Sequence, residues 1–67
     1  MKIDLQQARN IVAQNLARMA VPQQQIEATV TMTRDQSIIE AAHYIRSKPE
    51  ITLDELKFYV YMPELYK

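Results

Sequence analysis

The 67 residues of this chain contain neither glycine nor cysteine. Glycine supplies positive φ angles, tight phosphate-binding loops and close approach of the backbone to a ligand. Its absence from these residues excludes every nucleotide-binding motif that depends on glycine. The absence of cysteine excludes disulfides and thiolate metal sites. A chain this short buries only about 60% of its unfolded surface, so a single core without cross-links is marginally stable.

The composition is nevertheless rich in apolar residues, since hydrophobic side chains make up 48% of the sequence. We interpret residues 1–67 as a single small helical domain. Small domains that lack cross-links often gain stability by self-association or by docking on another protein. We therefore expect a homo-oligomer, most simply a homodimer, that is also able to bind a protein partner.

The charge and the absence of targeting patterns disfavour nucleic acid and membranes as partners. Eight basic residues balance eight acidic residues, so the net charge is zero and gives no footprint for nucleic acid. No stretch is apolar enough to cross a bilayer, and the start of the chain lacks the features of a secretory signal. We expect a cytoplasmic protein that binds no membrane.

Three prolines divide the sequence. Pro22, Pro49 and Pro63 each lack an amide donor and disfavour helical geometry in the residue before them. In most of the intervening sequence, apolar residues recur at spacings of three and four, which is typical of amphipathic helices. The pattern predicts a mainly α fold, a small domain of three to four helices.

The first helix is predicted over residues 5–20. Asp4 precedes it, and Gln7 lies three residues later, which completes a capping-box pattern. The apolar residues that follow alternate at spacings of three and four and predict one buried face: Leu5, Ala8, Val12, Leu16 and Met19.

The segment over residues 26–33 has two interpretations. Its apolar and polar residues alternate strictly, and five of its eight residues are β-branched. This pattern is typical of a half-buried strand. The alternative is a short helix that begins after Pro22 and buries Ile26 and Val30. We favour the strand or extended segment, and the helix stays open.

A helical hairpin is predicted over residues 36–62. Its first helix spans residues 36–47 and has Thr33 or Asp35 as a candidate cap. The residues on its apolar face are Ile38, Ala41, Ala42 and Ile45. The helix is expected to end near Ser47, because Pro49 follows.

The second helix of the hairpin is predicted over residues 53–62. Thr52 and Glu55 form a capping-box pattern, and Ile51 and Leu56 occupy the two positions of a hydrophobic staple. The strength of this start signal outweighs the β propensity of the aromatic run that follows it.

The two helices of this hairpin resemble the first two helices of a winged-helix or helix-turn-helix domain. In that family an apolar helix ends at a proline-containing turn, and an Ile-Thr-Leu-x-Glu-Leu step begins the next helix. Here the step is residues 51–56, and the resemblance covers residues 36–60. It implies a compact, dimeric DNA-binding transcriptional regulator. The family also needs a recognition helix, for which only residues 63–67 remain.

The candidate chemical groups do not form a catalytic set. His43 and Ser47 lie four residues apart on one predicted helix, with Glu40 available to orient the histidine. A nucleophile and base also need backbone donors for an oxyanion, which no glycine-rich turn supplies. Glu40 and His43 give only two metal ligands. We expect no catalytic, cofactor-binding or metal-binding residue, and we expect that the protein is not an enzyme.

The end of the chain concentrates aromatic residues. Four of the five aromatic side chains fall in the last ten residues, together with Met62 and Leu65: Phe58, Tyr59, Tyr61 and Tyr66. Tyrosine and methionine are enriched at protein–protein contacts. These six residues either close over the core or form an interface, and we favour the interface. The sequence therefore predicts a small regulatory protein that acts through self-association and protein–protein contacts, with the DNA-binding regulator as the alternative.

Overall fold

A computed structural model describes residues 2–62, which form four α-helices and no strand. Helix α1 spans Leu5–Arg18, α2 spans Gln23–Met32, α3 spans Asp35–Ser47 and α4 spans Leu53–Leu56. The mainly α fold predicted from the sequence is confirmed. None of the helices among these residues is long and apolar enough to cross a membrane.

Helix α1 begins at the predicted capping box. The Gln7 amide donates to Asp4 Oδ1 at 2.8 Å, and the Asp4 amide donates to Gln7 Oε1 at 3.2 Å. These two bonds satisfy amides that the first turn of a helix leaves without partners. The start predicted for this helix is therefore confirmed.

Helix α1 ends two residues earlier than predicted, at a left-handed residue. Ala20 has a φ of 63°. Its amide donates to the Ala17 carbonyl at 3.0 Å, and the Val21 amide donates to the Leu16 carbonyl at 3.1 Å. This pair of bonds is a Schellman motif, in which the left-handed position is usually glycine. An alanine there costs about 1 kcal/mol or more, so the lack of glycine in this chain has a local energetic cost.

The segment predicted to be a strand is helix α2, so the favoured interpretation of residues 26–33 was wrong. Ile26, Thr29 and Thr33 are buried and Val30 is half-buried, which gives the helical spacing of three and four. The strand pattern arose because two of the buried residues are threonines, which we counted as polar. A helix also pairs its own backbone N–H and C=O groups, whereas a single strand needs a neighbouring strand for this pairing.

Helix α3 begins one residue before its predicted range of 36–47, ends at Ser47 as predicted, and lacks its predicted cap. Arg34 precedes the helix and makes no side-chain cap, so neither Thr33 nor Asp35 fills that role. The Thr33 hydroxyl instead donates to the Thr29 carbonyl at 2.6 Å and accepts from the Tyr61 amide at 3.0 Å. Thr33 therefore joins the end of α2 to the C-terminal part of the described chain.

Helix α4 has only four residues, and the prediction of a helix over 53–62 was wrong beyond Leu56. Tight turns follow it, and then the chain extends so that Val60 and Met62 are buried while Tyr61 between them is 45% exposed. Burial at every second residue is the period of an extended chain. The β-branched and aromatic run has weak helix propensity, and packing of Val60 and Met62 decides its conformation.

The core surrounds α1, which packs against both α2 and α3. The segment that follows α3 covers the rest of the core with Ile51, Leu56, Val60 and Met62. The Thr29 hydroxyl is also enclosed and has no hydrogen-bond partner among the described residues. Such a group costs about 1–3 kcal/mol. The remaining buried hydrophobic residues are Ile3, Ala8, Val12, Leu16, Ile26, Ile38, Ala41, Ala42 and Ile45.

The left-handed geometry of Ala20 predicts that glycine stabilises the protein at this position. Ala20→Gly should raise the free energy of unfolding by about 0.5–1 kcal/mol, because glycine has no Cβ to clash at positive φ. Ala17→Gly is the matched control. Ala17 lies in α1 and is exposed, so glycine there should lower the free energy of unfolding by up to about 1 kcal/mol. Urea denaturation measures both effects, and equal losses in the two variants would contradict the assignment of the motif.

Candidate functional site

Phe58 is the most exposed large hydrophobic residue of the described structure. Its side chain is 82% exposed, whereas that of Tyr61 is 45% exposed. Both belong to residues 57–62, which we call the C-terminal segment. These are two of the six residues that the sequence places at a protein interface.

The other four predicted interface residues differ in their positions. Tyr59 is half-buried, and its ring stacks on Tyr44 with ring centroids 4.9 Å apart. Met62 is only 2% exposed and belongs to the core. Leu65 and Tyr66 lie outside the described residues. The structure therefore brings Phe58 and Tyr61 to the surface and uses Tyr59 and Met62 for internal packing.

A turn with defined hydrogen bonds holds Phe58 in its exposed position. The Phe58 amide donates to the Glu55 carbonyl at 3.2 Å, and the Tyr59 amide donates to the Leu56 carbonyl at 2.9 Å. Val60, two residues after Phe58, is buried. Because residues on both sides of Phe58 are packed or hydrogen-bonded, the backbone itself directs this side chain outward.

Met32 is a third exposed apolar side chain, and its alternating sequence context gave no sign of this exposure. Met32 is 56% exposed at the end of α2. It adjoins Thr33, whose hydroxyl accepts a hydrogen bond from the Tyr61 amide. That bond brings the C-terminal segment against the end of α2. We call Met32, Phe58 and Tyr61 the exposed apolar set.

The Glu55 carboxylate holds α4, the helix that precedes the C-terminal segment, in position. One of its oxygens accepts from Lys48 Nζ at 2.7 Å and from the Tyr44 hydroxyl at 2.8 Å. Its other oxygen accepts from the Thr52 amide at 3.2 Å, and the Thr52 hydroxyl accepts from the Glu55 amide, also at 3.2 Å. The capping box predicted at Thr52 and Glu55 is confirmed. The same carboxylate also joins α4 to the end of α3.

These contacts shift the ionisation of all three side chains. Hydrogen bonds from Lys48, Tyr44 and Thr52 lower the pKa of Glu55 to about 2. The same contacts raise the pKa of Lys48 and the pKa of Tyr44, in each case chiefly through the hydrogen bond to Glu55. A tyrosine with a raised pKa is a poor general base at neutral pH. Glu55, Lys48 and Tyr44 therefore form a structural cluster, which we call the Glu55 clasp.

The candidate catalytic groups of the sequence do not come together. The Ser47 hydroxyl donates to the backbone carbonyl of His43 at 2.9 Å. Its hydrogen is therefore directed away from the imidazole. Glu40 accepts from Gln36 at 3.5 Å. Within residues 2–62, no three histidine, cysteine, aspartate or glutamate side chains are grouped as metal ligands.

The comparisons with known proteins add no relative. No protein-family model, no curated protein and no solved structure matches this chain.

The low pKa of Glu55 predicts how stability changes with acid. Its pKa in the folded protein, about 2, lies below the ordinary value of 4.5. The ionised carboxylate therefore stabilises the fold fully above pH 4.5, and this contribution is lost as the pH falls toward 2. Glu55→Gln should be less stable than the wild type at neutral pH, and the difference should close over this interval.

Glu50→Gln is the matched control for the acid experiment. Glu50 is exposed, five residues before Glu55, and forms no ion pair within residues 2–62. Urea denaturation at a series of pH values should give this variant nearly the stability of the wild type. If Glu55→Gln showed the same stability and acid dependence as the wild type, the clasp would not stabilise the fold.

Proposed function

We propose that this protein is a small, non-enzymatic interaction protein that self-associates through the exposed apolar set. The observation that carries the proposal is the 82% exposure of Phe58 on a hydrogen-bonded turn. Phenylalanine is among the aromatic residues that are enriched in the core of protein interfaces.

The turn makes Phe58 well suited to binding because its backbone is already ordered. Burying a phenylalanine side chain fully stabilises a complex by about 1.5–3 kcal/mol relative to leaving it in water. Association is weakened by the entropy of ordering side chains and loops. Since the amides after Glu55 are hydrogen-bonded in the free chain, less of that entropy remains to be lost on binding.

We propose a second copy of the chain as the first partner of this surface. A small core without cross-links gains most from an interface that buries further apolar area. A two-fold dimer places the same patch of both subunits in contact, so a central aromatic side chain is used twice. Beside Phe58, Lys57 lies 3.6 Å from Asp54. This pair carries no net charge, so it adds no like-charge repulsion between two copies.

The proposal predicts that Phe58 controls self-association without controlling the fold. Sedimentation equilibrium should show wild-type association at micromolar concentration. Phe58→Ser should weaken it at least tenfold, which is about 1.4 kcal/mol. Because Phe58 is exposed, the free energy of unfolding of the Phe58→Ser monomer should differ from that of the wild type by less than about 0.5 kcal/mol. Gln14→Ser, an exposed position on α1, is the matched control and should leave association unchanged.

Two results would contradict this function. Sedimentation of the wild-type chain only as the 7.9 kDa monomer at high concentration would show that it does not self-associate. Binding to duplex DNA with a steep salt dependence would favour the DNA-binding regulator instead.

Tyr59→Ser separates packing from binding, since the stack between Tyr59 and Tyr44 predicts a loss of stability for that variant.

A further inference from the structure

A small cleft lies between the end of α1 and the connection from α3 to α4, and we call it the Met19 cleft. Its volume is about 160 Å³. A cavity of about 150 Å³ in a protein is large enough to hold a benzene molecule. The Met19 cleft therefore has room for one phenylalanine ring. Its lining residues are Asn15, Arg18, Met19, Pro49, Glu50 and Ile51.

The lining of the Met19 cleft suits an aromatic ring. Met19, Pro49 and Ile51 supply apolar surface. Arg18 adds a planar guanidinium group, and it is exposed and forms no ion pair with the other described residues. A guanidinium group is attracted to the face of an aromatic ring, and a methionine sulfur makes favourable contacts with the ring.

Phe58 is the side chain of this protein that fits the cleft best. Its ring is 82% exposed, so it does not occupy the cleft of its own chain. It has no polar atom that would lose a hydrogen bond on burial, whereas Tyr61 carries a hydroxyl group. The hydrogen-bonded turn that holds Phe58 outward presents the ring to a second molecule.

The charges beside Phe58 complement the charges of the cleft. Asp54 and Lys57 lie near the ring in sequence, and the Asp54 side chain is 90% exposed. The cleft carries one cation, Arg18, and one anion, Glu50. One orientation of a docked copy places Asp54 against Arg18 and leaves the opposite charges of the second pair facing each other. The reverse orientation places like charges together, which is unfavourable.

We propose that Phe58 of one copy inserts into the Met19 cleft of a second copy, with Asp54 of the first copy beside Arg18 of the second. In a two-fold dimer this contact forms twice, once from each subunit. The inference rests on the proposed self-association and assigns the surface that receives the Phe58 ring.

The direct experiment measures nuclear Overhauser effects between copies of the wild-type protein. Equal amounts of ¹³C-labelled and unlabelled chains are mixed, and an isotope filter selects contacts between a labelled and an unlabelled chain. The ring protons of Phe58 should give cross-peaks to the Met19 methyl group and to the Pro49 ring. Cross-peaks from Phe58 only to Phe58, Tyr61 or Met32 of the other copy would overturn the docking.

Charge reversal tests the orientation by sedimentation equilibrium. Arg18→Glu should weaken self-association at least about fivefold, because it removes a cation from the ring and places two acids together. Arg46→Glu makes the same change of charge in the last turn of α3, where the residue is exposed. This matched control should associate as the wild type does.

The double variant Arg18→Glu with Asp54→Arg exchanges the two charges and should recover most of the lost association. Failure of a folded double variant to recover any association would overturn the pairing of these residues. The contacts measured in the wild type decide the docking even if the double variant does not fold.

The two experiments separate this inference from the proposed function. Association that depends on Phe58 but shows no contact with Met19 would overturn the docking and leave self-association in place. A wild-type chain that gives no contacts between copies and sediments as a monomer would overturn both.

Discussion

The C-terminal part of this fold depends on the hydrogen bonds that the Glu55 carboxylate accepts. A helix of four residues is not stable by itself, because the free-energy cost of nucleation exceeds the stabilisation from the hydrogen bonds of one turn. Glu55 offsets part of that cost by capping α4 and by accepting hydrogen bonds from Tyr44 on α3 and from Lys48, the residue after α3. The position of α4 then determines the turn that follows, which directs Phe58 outward and returns Val60 to the core.

Thr33 provides the second attachment of the same segment. Its hydroxyl donates to the end of α2 and accepts the Tyr61 amide, so a single side chain joins two parts of the chain that are 28 residues apart. The two attachments lie on either side of Phe58. The segment between them is therefore held at both ends, and the exposed aromatic ring is part of an ordered surface.

The sequence predicts best where a pattern has one structural solution. Both capping boxes appear in the structure because Asp4 and Thr52 sit at fixed spacing from the residues that answer them. The interpretation of residues 26–33 failed because a threonine is polar in a pattern but is buried here at Thr29. The helix over 53–62 was predicted too long because a start signal says nothing about how far a helix continues.

The candidate sites show the same limit of sequence patterns. The concentration of aromatic residues was visible as composition, but the adjacent rings of Phe58 and Tyr59 differ in exposure. Phe58 is 82% exposed, whereas Tyr59 is half-buried and stacks on Tyr44.

Native-state hydrogen exchange of Tyr44→Phe tests most directly whether the Glu55 clasp orders the surface that carries Phe58. This variant keeps the ring that stacks on Tyr59 and removes only the hydroxyl that donates to Glu55. We expect the amides of Phe58, Tyr59 and Val60 to lose protection, while the amides of the α1 core keep theirs. Unchanged protection after α4, or an equal loss throughout the chain, would contradict it.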